Sequence, residues 1–249
     1  MRFERREQRS LALLLVTPLL AVILALALSG FLIALAGASP FEAYWNILKG
    51  AFGSRLSATE TLTRSAPLIL TGLAAATAFR ARLWNIGAEG QFYLGAIAAS
   101  AASSQLFGDM PGLFQIPLLF IAGALAGMCL LLVPLWLRLR YSVDEVVTTL
   151  LLNFVAILFV SMLIDTVLKD PLAFGWPQSV SVSDEAMLPK LLSRSRLHLG
   201  LVVAIVLAVI IYFVQARTVF GLNSRAAGLN ASAAVFAGVP LARTLVFVA

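Results

Sequence analysis

Six long runs of apolar residues, nearly free of charge, set the strongest limit on how this chain can fold. Most approach about 20 residues, the length with which a helix crosses a hydrocarbon layer of roughly 30 Å. Of the 249 residues, 61% are hydrophobic and only 12% are charged. A soluble domain is about half apolar and about a quarter charged. The sequence therefore predicts an all-α, polytopic bundle of membrane-spanning helices.

The predicted spans cover residues 11–38, 63–79, 91–107, 113–137, 145–168 and 197–216. A last apolar stretch begins near Leu241 and reaches Ala249, which is too short to cross a membrane. We therefore expect six complete spans and the start of a seventh, in a single transmembrane domain over residues 1–249 that is incomplete at its C-terminus.

Two of the connections between these spans are long. In the connection 39–62, the apolar residues from Phe41 to Leu48 recur at helical spacing, which predicts a short amphipathic helix at the membrane interface. The connection 169–196 is polar and contains three prolines, which predicts an ordered loop or lid outside the membrane.

Basic residues are distributed unevenly over the connections. Alternate connections carry 11 of the 18 basic residues, all of them arginines: Arg2, Arg5, Arg6, Arg9, Arg80, Arg82, Arg138, Arg140, Arg217, Arg225 and Arg243. In the other connections basic and acidic residues balance, so the net charge of +6 falls on one set of loops. The positive-inside rule makes that side, and the N-terminus, cytoplasmic. Because these charges flank spans rather than cover one soluble face, nucleic-acid binding is not indicated.

The connection between the second and third spans places Asn85, Glu89 and Gln91 among glycines near membrane depth. Polar groups at that depth usually face the protein interior or a water-filled path. Two interpretations stay open. Glu89 either pairs with nearby arginines at the water line, or lines a pathway together with Asn85 and Gln91.

Two further motifs carry polar side chains. At the start of the fifth span, Thr149 and Asn153 share one helix face, where they either bond a neighbouring helix or line a pathway. After the sixth span, Asn230 can cap a short helix that begins at Ala231 and ends before Gly238 and Pro240. That helix is either an ordinary connecting helix or one that docks into a partner's groove.

Several kinds of chemistry are absent from the sequence. It contains no Gly-x-x-x-x-Gly-Lys-Ser/Thr loop, so the chain is not expected to bind or hydrolyse ATP. Cys129 is the single cysteine and His198 the single histidine. We therefore expect no intramolecular disulfide, metal site, cofactor or catalytic residue.

Three motifs, in order, carry a resemblance to one family. Asn85-Ile-Gly-Ala-Glu-Gly-Gln91, the run from Glu145 to Asn153, and the run from Arg225 to Gly238 resemble the permease subunits of bacterial ABC importers for nucleosides and simple sugars, relatives of the ribose and branched-chain amino acid permeases. The resemblance implies a type II importer fold that works by alternating access. It implies a substrate pathway formed by Asn85, Glu89, Gln91, Thr149 and Asn153. It also implies a cytoplasmic coupling helix with Arg225, Gly228, Asn230, Ala233, Ala234, Phe236 and Gly238 as contacts to an ATPase subunit.

The same resemblance implies partners and a location. These are a separate ABC ATPase subunit, a second, non-identical permease, an external substrate-binding lipoprotein and the lipid of the bacterial inner membrane. Two alternatives stay open from the sequence: a transporter or channel that works without ATP, and a truncated assembly subunit that does not transport.

The arginine distribution predicts the topology directly. Reporters fused after Arg82, Arg140 or Arg225 should show cytoplasmic activity, and a reporter fused near Gln178 should show external activity. Paired alkaline phosphatase and green fluorescent protein fusions measure both sides. An external signal at Arg225 would contradict the orientation and the coupling-helix assignment together.

Overall fold

A computed structural model of the chain describes residues 11–249, with side chains from Val16 onward. Arg2, Arg5, Arg6 and Arg9 lie outside the described residues. The described part holds ten α-helices: α1 (Leu11–Leu35), α2 (Pro40–Phe52), α3 (Arg55–Arg80), α4 (Ala88–Gln105), α5 (Gly112–Tyr141), α6 (Glu145–Asp165), α7 (Gly200–Arg217), α8 (Val219–Leu229), α9 (Ala231–Phe236) and α10 (Leu241–Val248). The predicted all-α membrane bundle is confirmed.

Five of the described helices are long and apolar enough to cross a membrane: α1 (from Val16), α3, α5, α6 and α7. The third predicted span, 91–107, corresponds to α4, which is not among the five. Alanine, glycine and serine make up much of α4. Because α4 packs against both α5 and α6, those neighbours cover much of its surface.

The start of α3 also differs from the prediction. The helix begins at Arg55, eight residues before the predicted span, because the polar stretch that precedes the apolar run is already helical. Ser54 supports this start, since its hydroxyl accepts a hydrogen bond from the Ser57 amide at 3.0 Å.

The chain divides into two compact units, Met1–Thr61 and Leu62–Ala249. In the first unit, α1 and α2 are joined by Tyr44, whose hydroxyl donates to the Leu26 carbonyl at 2.6 Å and lies 2.8 Å from the Ser29 hydroxyl. Ser39 caps α2 by accepting from the Glu42 amide. The predicted amphipathic helix therefore exists, with Pro40 in its first turn.

One end of the second unit, which we call the arginine end, gathers the last turns of α3, α5 and α7 with α8 and α10. Ala78, Leu83, Leu135 and Leu245 form a buried cluster there. Arg80 donates to the Gln215 side chain at 3.2 Å. The alternate arginine-bearing connections of the second unit thus meet at one end, as the sequence pattern predicted.

The opposite end, the loop end, carries the connection between α6 and α7. Its polar centre is buried: Gln115 donates to the Ser103 hydroxyl at 3.1 Å and accepts from the Ser183 hydroxyl at 2.8 Å. Ser100 also donates to the Val180 carbonyl at 2.6 Å. These bonds fix the loop to α4 and α5, so the predicted ordered loop is confirmed.

Within that loop, residues 169–179 form a small hairpin. An antiparallel bridge joins Lys169 to Ser179 at its base, and the Asp170 amide donates to the Gln178 carbonyl at 3.0 Å. The side chains of Phe174 and Trp176 at its tip are exposed. The hairpin is thus bonded at its base and free of packing at its tip.

Close contact between α4 and α5 depends on glycines. A Cβ added to Gly95 would lie 2.9 Å from the Gly123 carbonyl oxygen, closer than side chains tolerate. We predict that Gly95→Ala lowers the stability of the chain in detergent by about 1–3 kcal/mol. The control Gly72→Ala, at an uncrowded position in α3, should be neutral or stabilising, because alanine favours helix by about 0.5–1 kcal/mol. Thermal unfolding followed by circular dichroism compares the two variants, and equal midpoints would contradict the close contact.

Candidate functional site

The candidate site begins where α3 ends at the arginine end. The Leu83 amide donates to the Ala78 carbonyl and the Arg82 amide to the Phe79 carbonyl, both at 3.0 Å. This is a Schellman motif, and Arg82 takes the left-handed position with φ of 53°. The motif stops α3 and turns the chain into a non-helical stretch before α4. We call residues 84–90, which comprise this stretch and the first turn of α4, the junction.

Asn85 organises the junction from within. Its side chain is 5% exposed, and its Oδ1 accepts from the Gly87 amide at 3.0 Å. The Asn85 and Gln91 amides also bond each other reciprocally, with both distances 3.1 Å. A buried amide that loses such a partner costs about 1–3 kcal/mol, so the pair holds the junction in one shape.

Helix α6 supports the junction from outside, through side chains four residues apart. The Glu145 carboxylate lies 3.5 Å from the Trp84 amide, and the Thr149 hydroxyl accepts from the Ile86 amide at 3.2 Å. Asn153 Oδ1 accepts from the Gly90 amide at 2.6 Å. We call these three side chains the α6 ladder. The sequence had left open whether Thr149 and Asn153 bond a neighbouring element, and both do.

Gly90 lets α4 start close to α6. A Cβ at Gly90 would lie 3.0 Å from both Asn153 Oδ1 and the Ala156 methyl group. Gly87, the residue that precedes α4, has no side chain with which to cap the helix. Asn153 therefore satisfies an amide in the first turn of α4 that the N-cap residue leaves unpaired.

Glu89 is placed differently from its expected partners. The Glu89 side chain is exposed, while the Asn85 side chain is buried inside the junction. Glu89 lies in the first turn of α4, where a negative charge interacts favourably with the helix dipole. The structure thus brings Asn85, Gln91, Thr149 and Asn153 together and leaves Glu89 outside the group.

A cavity of about 730 Å³ lies beside the junction. Thr71 and Gln91 are the polar side chains in its wall, and Phe92, Phe120 and Met128 are among the bulky apolar ones. The rest of the wall is made by Leu70, Ala74, Ala88, Gly95, Ala96, Ala99, Leu119, Gly123, Ala124, Gly127 and Ala249. Of the five residues expected to form a pathway, Gln91 is the one that lines this cavity.

Helices α8 and α9 form the segment expected to couple to a partner. Thr218 caps α8, and Asn230 caps α9 by accepting from the Ala233 amide at 3.0 Å. The chain leaves α9 after Phe236, and Gly238 has a φ of +85°. The predicted cap and the predicted end of this short helix are both confirmed.

Residues expected to contact a partner divide into exposed and buried sets. Phe236 is 95% exposed, and Arg225, Asn230, Ala233 and Gly238 are also exposed. Ala234, in contrast, is 4% exposed. Gly228 is also buried, and a Cβ there would collide with the Arg80 carbonyl oxygen. Gly228 and Ala234 therefore pack within this chain, and a charge at Ala234 would disturb that packing first.

Two features of the site were not predicted from the sequence. Arg138 donates to Glu145 at 2.6 Å and to the Arg82 carbonyl at 3.1 Å, so it links the end of α5 to both α6 and the turn that ends α3. Glu145 was not among the residues expected to form the site. Asp144 caps the start of α6, since it accepts from the Val146 amide at 2.7 Å. The position of Glu145 at four-residue spacing from Thr149 and Asn153 was the available signal.

Residues 57–249 match the family described as "Branched-chain amino acid transport system / permease component". No solved structure matches the chain.

Three curated relatives are ABC transporter permease proteins. A glucose ABC transporter permease protein of Haloferax volcanii is 36% identical over 93% of this chain and 63% of its own length. A guanosine ABC transporter permease protein of Bacillus subtilis is 35% identical over 93% of this chain and 66% of its own length. A nucleoside ABC transporter permease protein of Lactococcus lactis is 32% identical over 92% of this chain and 65% of its own length. The chain thus spans slightly less than two thirds of each relative.

Proposed function

Because this chain belongs to the family of branched-chain amino acid transport system permease components, as its motifs predicted, we propose that it forms the transmembrane path of an ABC importer. Its cargo would be nucleosides or simple sugars, the compounds for which its relatives are named. The chain is a multi-pass membrane protein of the permease class.

The observation that carries this proposal is the cavity beside the junction. Its wall is built mostly from small and apolar side chains, with Thr71 and Gln91 as the polar exceptions. Such a wall offers a polar solute few hydrogen bonds, so the solute passes without tight binding. High affinity would then come from an external substrate-binding lipoprotein. Mid-membrane ion pairs, which ion-coupled transporters use, do not contribute to the cavity wall.

Energy would come from a separate ATPase subunit, because the sequence lacks a phosphate-binding loop. The proposed docking element is the exposed part of α8 and α9 at the arginine end, with Phe236 as its bulky apolar anchor. We place this end in the cytoplasm on the arginine distribution. A second, non-identical permease would complete the assembly in the bacterial inner membrane.

Transport is tested by reconstitution. The chain is purified together with the products of neighbouring ATPase, permease and lipoprotein genes and placed in liposomes. We expect uptake of labelled nucleoside or sugar that requires ATP and the lipoprotein. Uptake that continues without ATP would favour a secondary transporter or channel, and no uptake of any tested compound would contradict the importer assignment.

The docking surface gives a separate prediction. Phe236→Ala should reduce recovery of the ATPase subunit with the tagged permease about tenfold, because buried aromatic anchors dominate protein interfaces. Phe114→Ala provides the matched control, since Phe114 is also exposed but lies near the start of α5, away from the arginine end. Quantitative co-purification at several ATPase concentrations measures the change. Equal recovery with both variants would mean that α9 is only a connecting helix.

A further inference from the structure

The α6 ladder matches the junction in register. Glu145, Thr149 and Asn153 stand on three successive turns of α6, which advance about 6 Å per four residues. The Trp84 and Ile86 amides, two residues apart in the chain, meet the first two of these turns. The third contact reaches Gly90, after α4 has begun. The two elements therefore run side by side with one contact for each turn of α6.

In these contacts the α6 side chains accept hydrogen bonds from backbone amides of the junction rather than from its side chains. A backbone amide that is shielded from water needs a hydrogen-bond acceptor. The non-helical part of the junction, residues 84–87, supplies few acceptors for its own amides. Thr149 is 2% exposed and Asn153 is 6% exposed, so water does not readily replace either side chain. The position of the junction is consequently determined by α6 as well as by the helices that it connects.

The ladder also connects the arginine end to the cavity wall. Arg138 binds Glu145 at the first turn of α6 and the Arg82 carbonyl just before the junction. Ala88, within the junction, and Gln91, the residue directly after it, lie in the cavity wall. A displacement of the first turns of α6 therefore displaces this part of the wall.

We propose that Glu145, Thr149 and Asn153 are positioning residues for transport, which hold the junction on α6 so that α6 and the cavity wall move as one body. This proposal rests on the transport function proposed above. Thr149 and Asn153 act through the junction backbone, and Gln91 is the side chain that they help to place in the wall.

Adjacent threonines provide a matched test. Thr149→Val keeps the shape of the side chain and removes the hydroxyl that accepts from Ile86. Thr148→Val is the control, because within the described chain the Thr148 hydroxyl bonds the Asp144 and Glu145 carbonyls at the start of its own helix. Thr149→Ser restores the hydroxyl. All variants are made in the full chain and purified in detergent.

Amide hydrogen exchange, followed by mass spectrometry of peptides that cover residues 83–92, reads the contact directly. We expect exchange about fivefold faster in Thr149→Val, the factor that corresponds to a hydrogen bond of about 1 kcal/mol. Exchange in Thr148→Val and Thr149→Ser should match the wild type. If Thr149→Val does not accumulate in the membrane, Asn153→Ala removes the neighbouring contact, and the same peptides report the release of the Gly90 amide.

Uptake by the reconstituted assembly tests the role in transport. Thr149→Val should lower the maximal rate about fivefold and leave unchanged the lipoprotein concentration that gives half-maximal uptake, because the ladder lies away from the loop end. Thr149→Ser should recover the rate. A rise in the lipoprotein concentration that gives half-maximal uptake, with an unchanged maximal rate, would overturn the proposal. Equal amide exchange in Thr149→Val and Thr148→Val would also overturn it.

The transport function and the positioning role of the α6 ladder can fail independently, and the experiments distinguish the two failures. If the wild type shows no ATP-dependent uptake, the transport function is overturned, while the exchange experiment still decides whether α6 holds the junction. If the wild type transports and Thr149→Val exchanges faster at an unchanged uptake rate, the contact stands and its positioning role is overturned.

Discussion

The need of buried backbone amides for hydrogen-bond partners governs the centre of this molecule. A helix satisfies its own amides, but the chain between α3 and α4 leaves helical geometry, so its amides need other acceptors. Three side chains of α6 and the Asn85 side chain supply the missing acceptors. The start of α4, its contact with α5 and the cavity wall all follow from that arrangement.

Close backbone contact is the second consequence. Because the start of α4 is fixed against α6, its next turns lie against α5, where Gly95 meets the Gly123 carbonyl and Gly127 meets the Gln91 carbonyl. Small residues are common in membrane helices, so the spacing of Gly123 and Gly127 does not by itself identify a contact. The structure shows that both glycines contact α4, and that Gly95 is part of the same contact.

Much of the fold could be predicted because its signals are local. Apolar runs identified α1, α5, α6 and α7, and the Asn230 cap followed from a single residue and its neighbours. The early start of α3 was missed because its first two turns are polar and resemble a connection. The predicted third span corresponds to α4, whose many alanines, glycines and serines keep it outside the five strongly apolar helices, and which packs against α5 and α6.

The site could be predicted only in part because its decisive contacts join residues far apart in the chain. Residue types identified Asn85, Gln91, Thr149 and Asn153, but the backbone amides to which three of them bind leave no trace in the sequence. Arg138 was interpreted only as a topology signal and Glu145 was not assigned to the site, so their ion pair was not predicted. Gly228 and Ala234 were assigned to a partner interface, but both are buried within this chain. The contact of α8 with the end of α3, which buries Gly228, is a tertiary contact that the local sequence does not indicate.

The hairpin at residues 169–179 has a practical consequence. Its bonds to the rest of the loop end lie at its base, and its tip carries exposed side chains that pack against nothing in the described chain. Inserted sequence is tolerated best at such exposed tips. An epitope or a small rigid domain placed between Ala173 and Trp176 would enlarge the particle for electron cryomicroscopy and mark one face of the membrane, while the polar network around Gln115 stays intact.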